Sequence, residues 1–316
     1  MLDKCRREQW RIDDLDWSGK PREMSREDEI AIVQYFTDME QIERLAGALF
    51  REQERKVEDD TLKKIFRTFV ADEERHAQTA ARLARYYDVH HYQRYRVNEN
   101  LAAFTPHFLE TVHFMPPDIA NVYITTGELV LDVALLRSIN DYVHDSMSQR
   151  AMDLINRDES RHIAVDYHMI EYYASDEYDQ KLRSQASPPL LERARATKAF
   201  AGMLWRAGPF IRDVFFKPMD VVDPSGKRMK EVFKRVQLLG AKPTVQRRPF
   251  AKVMMRLQDL YQRPTVRAVF GPVLERAIGV QGSVLVRLIS DEEEAKARAM
   301  SFDELAADAL NAKNLN

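Results

Sequence analysis

The sequence predicts an all-α fold, and three observations carry that reading. Glycine is scarce, at 10 of 316 residues, against a usual share of roughly 7%. Ala, Leu, Met, Arg and Glu are abundant and β-branched runs are few, a composition that favours helices. Apolar residues also recur every three to four positions over long stretches. The chain is 45% hydrophobic and 31% charged, enough for a sizeable core in one large domain or two smaller ones. Cys5 is the only cysteine, which excludes a disulfide within the chain. The charged start, MLDKCRREQW, shows no apolar signal-peptide core. No window approaches the ~18 uninterrupted apolar residues of a membrane span. The expectation is a soluble, cytoplasmic protein.

Residues 1–25 read as an irregular lead-in, with Trp10 and Trp17 as anchors onto the body. Ser25 begins Ser-Arg-Glu-Asp, a helix cap with acidic residues in the first turn. The helical pattern that follows runs to about Val57, with Phe36, Met39, Glu43, Ala46 and Phe50 on one stripe. Asp59 and Asp60 restart the chain, and a second helix carries Leu62, Ile65, Phe66, Phe69, Glu73 and His76 before ending near Tyr87. Residues 88–115 form a connection with short helical pieces. Pro116-Pro117-Asp118 opens a third long helix, lined by Ile124, Glu128, Leu131, Asp132 and Leu135. A turn between Asn140 and Ser148 leads to a fourth helix with Met152, Ile155, Glu159, His162 and Tyr167. Ser187-Pro188-Pro189 is the clearest break. Shorter helices follow, and no repeat suggests a solenoid.

Charge divides the chain. Residues 1–180 hold 23 basic and 36 acidic residues, whereas residues 181–316 hold 25 basic and 14 acidic. Carboxylates in the first part suit cations, and the second part suits an anionic partner. The alternative is that the two charges offset each other across a packed interface.

Two segments match closely: Asp72-Glu73-Glu74-Arg75-His76 and Asp158-Glu159-Ser160-Arg161-His162. Both read Asp-Glu-x-Arg-His. A glutamate and a histidine three apart share a helix face, so they can bind one ion. The spacing alone is weak evidence, since random placement gives roughly 0.6 such matches. Glu110 and His113 form a third match, which lacks the preceding Asp and is read as accidental. The setting is stronger. Glu43 lies 30 residues before Glu73, and Glu128 lies 31 before Glu159. In antiparallel hairpins those partners reach the same height. Glu128 also interrupts an apolar stretch, where an unpaired charge is costly.

This set resembles the ferritin-like diiron-carboxylate superfamily over residues 26–175. The resemblance implies a ferritin-like four-helix bundle at 26–185, with additional C-terminal helices at 186–316 packed on it. It implies Glu43, Glu73, His76, Glu128, Glu159 and His162 as ligands of two iron ions, with Glu73 and Glu159 bridging. Manganese is the other metal such a donor set suits. Glu40 rivals Glu43 on nearly the same face. The resemblance also pairs Asp72 with His162 and Asp158 with His76, because a ligating histidine donates its second ring N–H to a carboxylate. Arg75 and Arg161 either join that network or lie on the surface.

Among relatives, ferritins are much shorter. Radical-bearing reductase subunits place a tyrosine where this chain has Ala80. Arylamine N-oxygenases and acyl-carrier-protein desaturases are the nearest in kind, although the former carry a further histidine where this chain has Ile155. The implied activity is O2-dependent oxidation (hydroxylation, desaturation or N-oxygenation) of a small or carrier-bound organic substrate, with electrons from a ferredoxin or a reductase. The alternatives are a ferroxidase or iron-handling protein, and a metal-bearing interaction protein without turnover. Asp132, one turn after Glu128, is a candidate for proton transfer. Thr125 and Thr126 are read as bonding to backbone carbonyls.

In the second half, Arg247, Arg248, Lys252, Arg256, Arg263 and Arg267 alternate with Phe250, Val253, Met254, Leu257 and Tyr261. A basic amphipathic helix of this kind meets a membrane surface, an acidic carrier protein or a phosphate-bearing substrate, or packs its apolar stripe on the body. No nucleic-acid motif accompanies it.

Overall fold

The computed structural model describes residues 1–312. It is 81% helical and has no strand among the described residues. The lead-in holds a short helix α1 (Leu2–Arg7) and a 3-10 turn at Ile12–Asp14. Four long helices make the centre of the fold as two hairpins. The first joins α2 (Arg26–Lys56) to α3 (Asp60–Tyr87). Ser25 caps α2 by accepting from the Asp28 N–H, and Asp59 caps α3 through the Leu62 N–H. These caps satisfy backbone donors that a helix start leaves without partners. The connection is only three residues long, so the two helices run antiparallel and pack along their length.

Residues 88–115 differ from the expected connection. They contain a 16-residue helix, α4 (Glu99–Phe114), capped by Asn98. Leu101, Phe104, Phe108 and Val112 form its buried stripe. That burial outweighs Pro106, which removes one backbone donor from the helix interior.

The second hairpin joins α5 (117–143) to α6 (Ser146–Tyr173). Pro117 occupies the first turn of α5, where its missing N–H has no partner to lose. His144, with φ of 49°, stops α5 in a left-handed conformation. Within α5, Val130–Leu135 is π-helical, an insertion that often marks functional sites. The helix is long and apolar enough to cross a membrane by composition, yet 67% of its most apolar stretch is buried inside the protein. It therefore serves as the core helix.

The remaining helices are α7 (Asp176–Ser184), α8 (190–222), α9 (Lys227–Gly240), α10 (Pro243–Gln246), α11 (Pro249–Gln262), α12 (Pro264–Ile278), α13 (Gly282–Leu285), α14 (Asp291–Ala299) and α15 (Phe302–Asn311). A second π segment interrupts α8 at Arg212–Phe216. Three of these helices fasten the extension to the hairpins: α8 packs on α4, α9 on the π segment of α5, and α15 on α6.

The junction between α5 and α6 rests on one side chain. Asp145 accepts from the Met147 N–H at 2.8 Å, the Tyr87 hydroxyl at 3.0 Å and the Arg22 N–H at 3.0 Å. Removing it deletes a helix cap, worth about 1 kcal/mol, and leaves the phenol of Tyr87, itself 1% exposed, without its acceptor. Asp145→Ala is therefore expected to lower unfolding free energy by about 2–3 kcal/mol in chemical denaturation. Ser25→Ala, which loses a cap alone, should cost about 1 kcal/mol.

Candidate metal centre

The four long helices each send carboxylates into one buried volume. Glu43 comes from α2, Glu73 and His76 from α3, Glu128 from α5, and Glu159 and His162 from α6. All six are at most 2% exposed. Within the group Glu43, Glu73, His76 and Glu159, one ligand atom from each lies within 4.8 Å of the others. The same holds for Glu73, Glu128, Glu159 and His162. Glu73 and Glu159 belong to both groups. The two α-helical Glu-x-x-His pairs thus face each other, flanked by Glu43 and Glu128.

Close approach of α2 and α3 makes this geometry accessible. Gly47, one turn after Glu43, faces Glu73, and a Cβ there would stand 3.2 Å from the Glu73 Cβ. A methyl group at 47 would push directly on a candidate ligand.

The imidazoles are oriented from behind. His76 Nε2 lies 3.1 Å from Asp158 Oδ2, and His162 Nε2 lies 3.4 Å from Asp72 Oδ2. A carboxylate can only accept, so Nε2 carries the proton in each ring and Nδ1 points into the cluster. His76 Nδ1 lies 3.1 Å from Glu159 Oε1, and His162 Nδ1 lies 3.1 Å from Glu73 Oε1. Each aspartate thus serves the histidine of the opposite motif.

Both arginines join this network. Arg75 pairs with Asp72 and, at 3.0 Å, with Asp158. Arg161, 1% exposed, pairs with Asp158 and, at 3.5 Å, with Asp72. The lead-in closes the network from outside. Trp10 Nε1 donates to Asp158 Oδ2 at 2.7 Å, Gln9 Nε2 donates to Asp72 Oδ1 at 2.9 Å, and Glu8 accepts from Arg161 at 3.0 Å. Trp10 was legible as an anchor. Glu8 and Gln9 were not, because their partners lie more than 60 residues away.

Several expected or rival residues lie elsewhere. Glu40 pairs with Arg44 at 3.1 Å on the outer side of α2, which leaves Glu43 as the residue facing the cluster. Glu110 and His113 are exposed on α4. Thr125 and Thr126 donate to the Asn121 and Val122 carbonyls at 2.7 and 2.8 Å. Asp132 is buried in the π segment and stands outside both four-residue groups. Sequence reasoning missed Asp166. It is fully buried one turn after His162, and neither carboxyl oxygen has a hydrogen-bond partner. Its spacing of four from His162 and seven from Glu159 was the available signal.

Burial dominates the electrostatics. It pushes the Glu43 and Glu128 carboxyls well above the usual range, reinforced by the charges of Glu73 and Glu159 respectively. Asp166 is pushed up by burial as well. Burial opposes charge on Glu159, His76 and His162 too, but their mutual attraction wins. The charge of His162 holds Glu159 well below the usual range. Asp158 and Glu159 raise His76, and Glu159 and Asp72 raise His162. Burial also opposes ionisation of Asp158, but the hydrogen bond and charge of His76, with Arg161, hold its pKa low. Glu43 Oε2, Glu73 Oε2 and Glu128 Oε2 are buried without hydrogen-bond partners. Buried polar atoms ordinarily have partners. Inward-facing carboxylate oxygens without them fit a site that could hold metal ions.

A cavity of about 340 Å³ lies between α2, α5 and α8. Met39, Ile42, Leu135, Ile139 and Val214 contribute to its walls, and Tyr35 reaches into it. Leu135 and Val214 come from the two π segments. The Tyr35 hydroxyl is buried without a hydrogen-bond partner, and burial together with the Glu43 charge raises its pKa. Met39 and Ile42 in its wall precede Glu43 on α2, and none of the six cluster residues lines the cavity itself.

No family model, no curated protein and no solved structure matches this chain.

Two outcomes are expected. Asp158→Asn keeps the size of the side chain but weakens the acceptor behind His76, so metal affinity should fall about 10- to 100-fold in equilibrium dialysis, with helicity unchanged. Metal uptake should also release protons, because burial favours the protonated forms of Glu43 and Glu128 that a metal would displace. Affinity should accordingly rise with pH. In the metal-free chain these two raised groups give the opposite trend in stability. Their contribution is full below the unfolded carboxyl pKa and is lost as pH rises through the raised folded value. Proton release in weakly buffered solution checks the first trend, and melting temperature against pH checks the second.

Proposed function

We propose that the chain is a ferritin-like four-helix-bundle protein whose centre binds two iron ions and oxidises an organic substrate with O2. The observation that carries this reading is the pair of four-donor groups sharing Glu73 and Glu159. A shared pair of carboxylates suits two ions side by side, with Glu43 and His76 completing one position and Glu128 and His162 the other. Bound there, two iron ions supply reductive activation of O2, with electrons drawn from a ferredoxin or a reductase.

The chain's own residues have distinct tasks in this reading. Asp72 and Asp158 keep the Nε2 protons in place, so that both Nδ1 lone pairs face the ions. Phe50 and Phe69, with ring centroids 5.0 and 4.1 Å from that of His162, keep water from that side. Asp166 stores a proton next to the centre, since burial favours its neutral form. Tyr35 offers a buried hydroxyl at the cavity wall. The cavity holds the substrate, and its apolar walls select an apolar body.

The cavity, walled mainly by apolar side chains, also favours oxidation of an organic molecule over iron storage. The test is stoichiometric. Iron-loaded protein should contain two metals per chain, and its reduced form should consume O2 without further added iron. Glu128→Ala should lose most of the metal and the O2 uptake together. Continued oxidation of many irons per chain would assign the protein to iron handling instead. A reduced, loaded centre that leaves O2 untouched would end the oxidase reading.

A further inference from the structure

The α11–α12 hairpin carries the largest display of unpartnered apolar side chains in the described structure. On α11, Val253, Leu257 and Leu260 recur at helical spacing and are all exposed, Val253 at 53%. On α12, Val269, Phe270 and Val273 are exposed at 66, 62 and 67%. Most of α11 is in solvent. Ala251, Gln258, Tyr261 and Gln262 are its protected positions after Phe250, and it is held to the body through α12 and α10. Helix α12 packs in turn on α8, where Trp205 is 81% exposed.

Basic residues accompany these apolar ones. Residues 247–278 contain seven basic and two acidic side chains. Arg248 is consumed by packing, since it pairs with Asp118 at 3.4 Å and with Asp179. Lys252, Arg256 and Arg263 are exposed and form no salt bridge among the described residues. They recur at four and seven residues, on the stripe adjoining Val253, Leu257 and Leu260. An apolar stripe edged by long cationic side chains is the pattern of a helix lying in a lipid interface, with the cationic heads reaching to phosphate level.

We propose that the α11–α12 hairpin docks the protein on the surface of an anionic lipid bilayer. Charge complementarity decides between occupants. A second copy of this face would bring like charges together. A single folded acidic partner would cover one stripe, whereas here apolar residues face out from both helices and from α8. A bilayer offers an extended apolar phase to these side chains, and its anionic headgroups meet the cationic stripe. Exposed Trp205 adds the side chain most favoured at that depth.

The experiment uses the full chain with vesicles of phosphatidylcholine alone or with about 30% phosphatidylserine. Co-sedimentation should be about tenfold tighter on the anionic vesicles and should vanish near 0.5 M salt, where screening is strong. Trp205 emission should shift to the blue on binding, and Trp205→Phe should remove the shift, since Trp10 is buried and Trp17 is half-buried against Tyr86 and Arg82. The triple variant Val253→Ser, Leu257→Ser and Phe270→Ser should lose binding about tenfold or more, as should Lys252→Glu with Arg256→Glu and Arg263→Glu. Circular dichroism and metal content should stay unchanged, because none of these side chains supports the core. Equal affinity for neutral and anionic vesicles, or binding that survives both triple variants, overturns the proposal. So does absence of vesicle binding together with a concentration-dependent dimer that the apolar triple variant abolishes. Binding to soluble polyglutamate as tight as to vesicles overturns it in favour of an acidic polypeptide.

Discussion

Four carboxylates in an apolar interior are the constraint around which this protein is built. Taking one ionised carboxylate out of water costs several kcal/mol even after relaxation. Glu43, Glu73, Glu128 and Glu159 stand together at 1–2% exposure. Such a set persists only if protons or cations neutralise it. The surrounding charges are already allotted: Arg75 and Arg161 balance Asp72 and Asp158. In the metal-free chain burial favours the neutral forms of Glu43 and Glu128, and the carboxylates favour the protonated forms of His76 and His162, so protons offset much of this charge. A metal ion bound in the cluster would take the place of those protons.

Rigidity follows from the same arrangement. Each imidazole is gripped by an aspartate of the opposite helix, so α3 and α6 cannot slide without breaking both bonds. The arginines bridge the same two helices on the outside, and the lead-in seals them through Glu8, Gln9 and Trp10. A segment that looks peripheral in the sequence is thus part of the support of the carboxylate–histidine cluster. The aromatic side of the centre is equally fixed by Phe50 from α2 and Phe69 from α3.

How much of this was legible depends on the range of the interactions. The two Asp-Glu-x-Arg-His segments announced themselves, because spacing of three on a helix is a local property. The 30- and 31-residue offsets to Glu43 and Glu128 were legible because a hairpin with a short turn converts sequence distance into height. Glu40 and Glu43 lie three apart on nearly one face; the hairpin offset and the apolar stripe favoured Glu43, which stands in the buried group while Glu40 pairs with Arg44 outside it. Helix α4 was obscured by Pro106, and the π segments have no residue signature. Asp166 was hidden in plain view, since a single buried carboxyl looks like any helical aspartate until its neighbours are known. The membership of Glu8 and Gln9 in the network needed tertiary structure outright.

The charge asymmetry of the chain also resolves into two parts. Some of the basic extension is spent on the acidic first half: Arg228 pairs with Asp141, Arg248 with Asp118 and Asp179, and Arg247 with Asp176 at 3.4 Å. These pairs make the offsetting-interface reading correct for the residues nearest the body. They do not extend along α11, where Lys252, Arg256 and Arg263 remain in solvent beside exposed valine and leucine. Exposed apolar surface of this extent destabilises nothing in the folded state, but it is rare on a protein that keeps it uncovered. A charge pattern that serves packing at one end of a segment and is left over at the other marks where the fold stops using its own residues. Beyond that point, among the described residues, Lys252, Arg256 and Arg263 form no salt bridge within the chain.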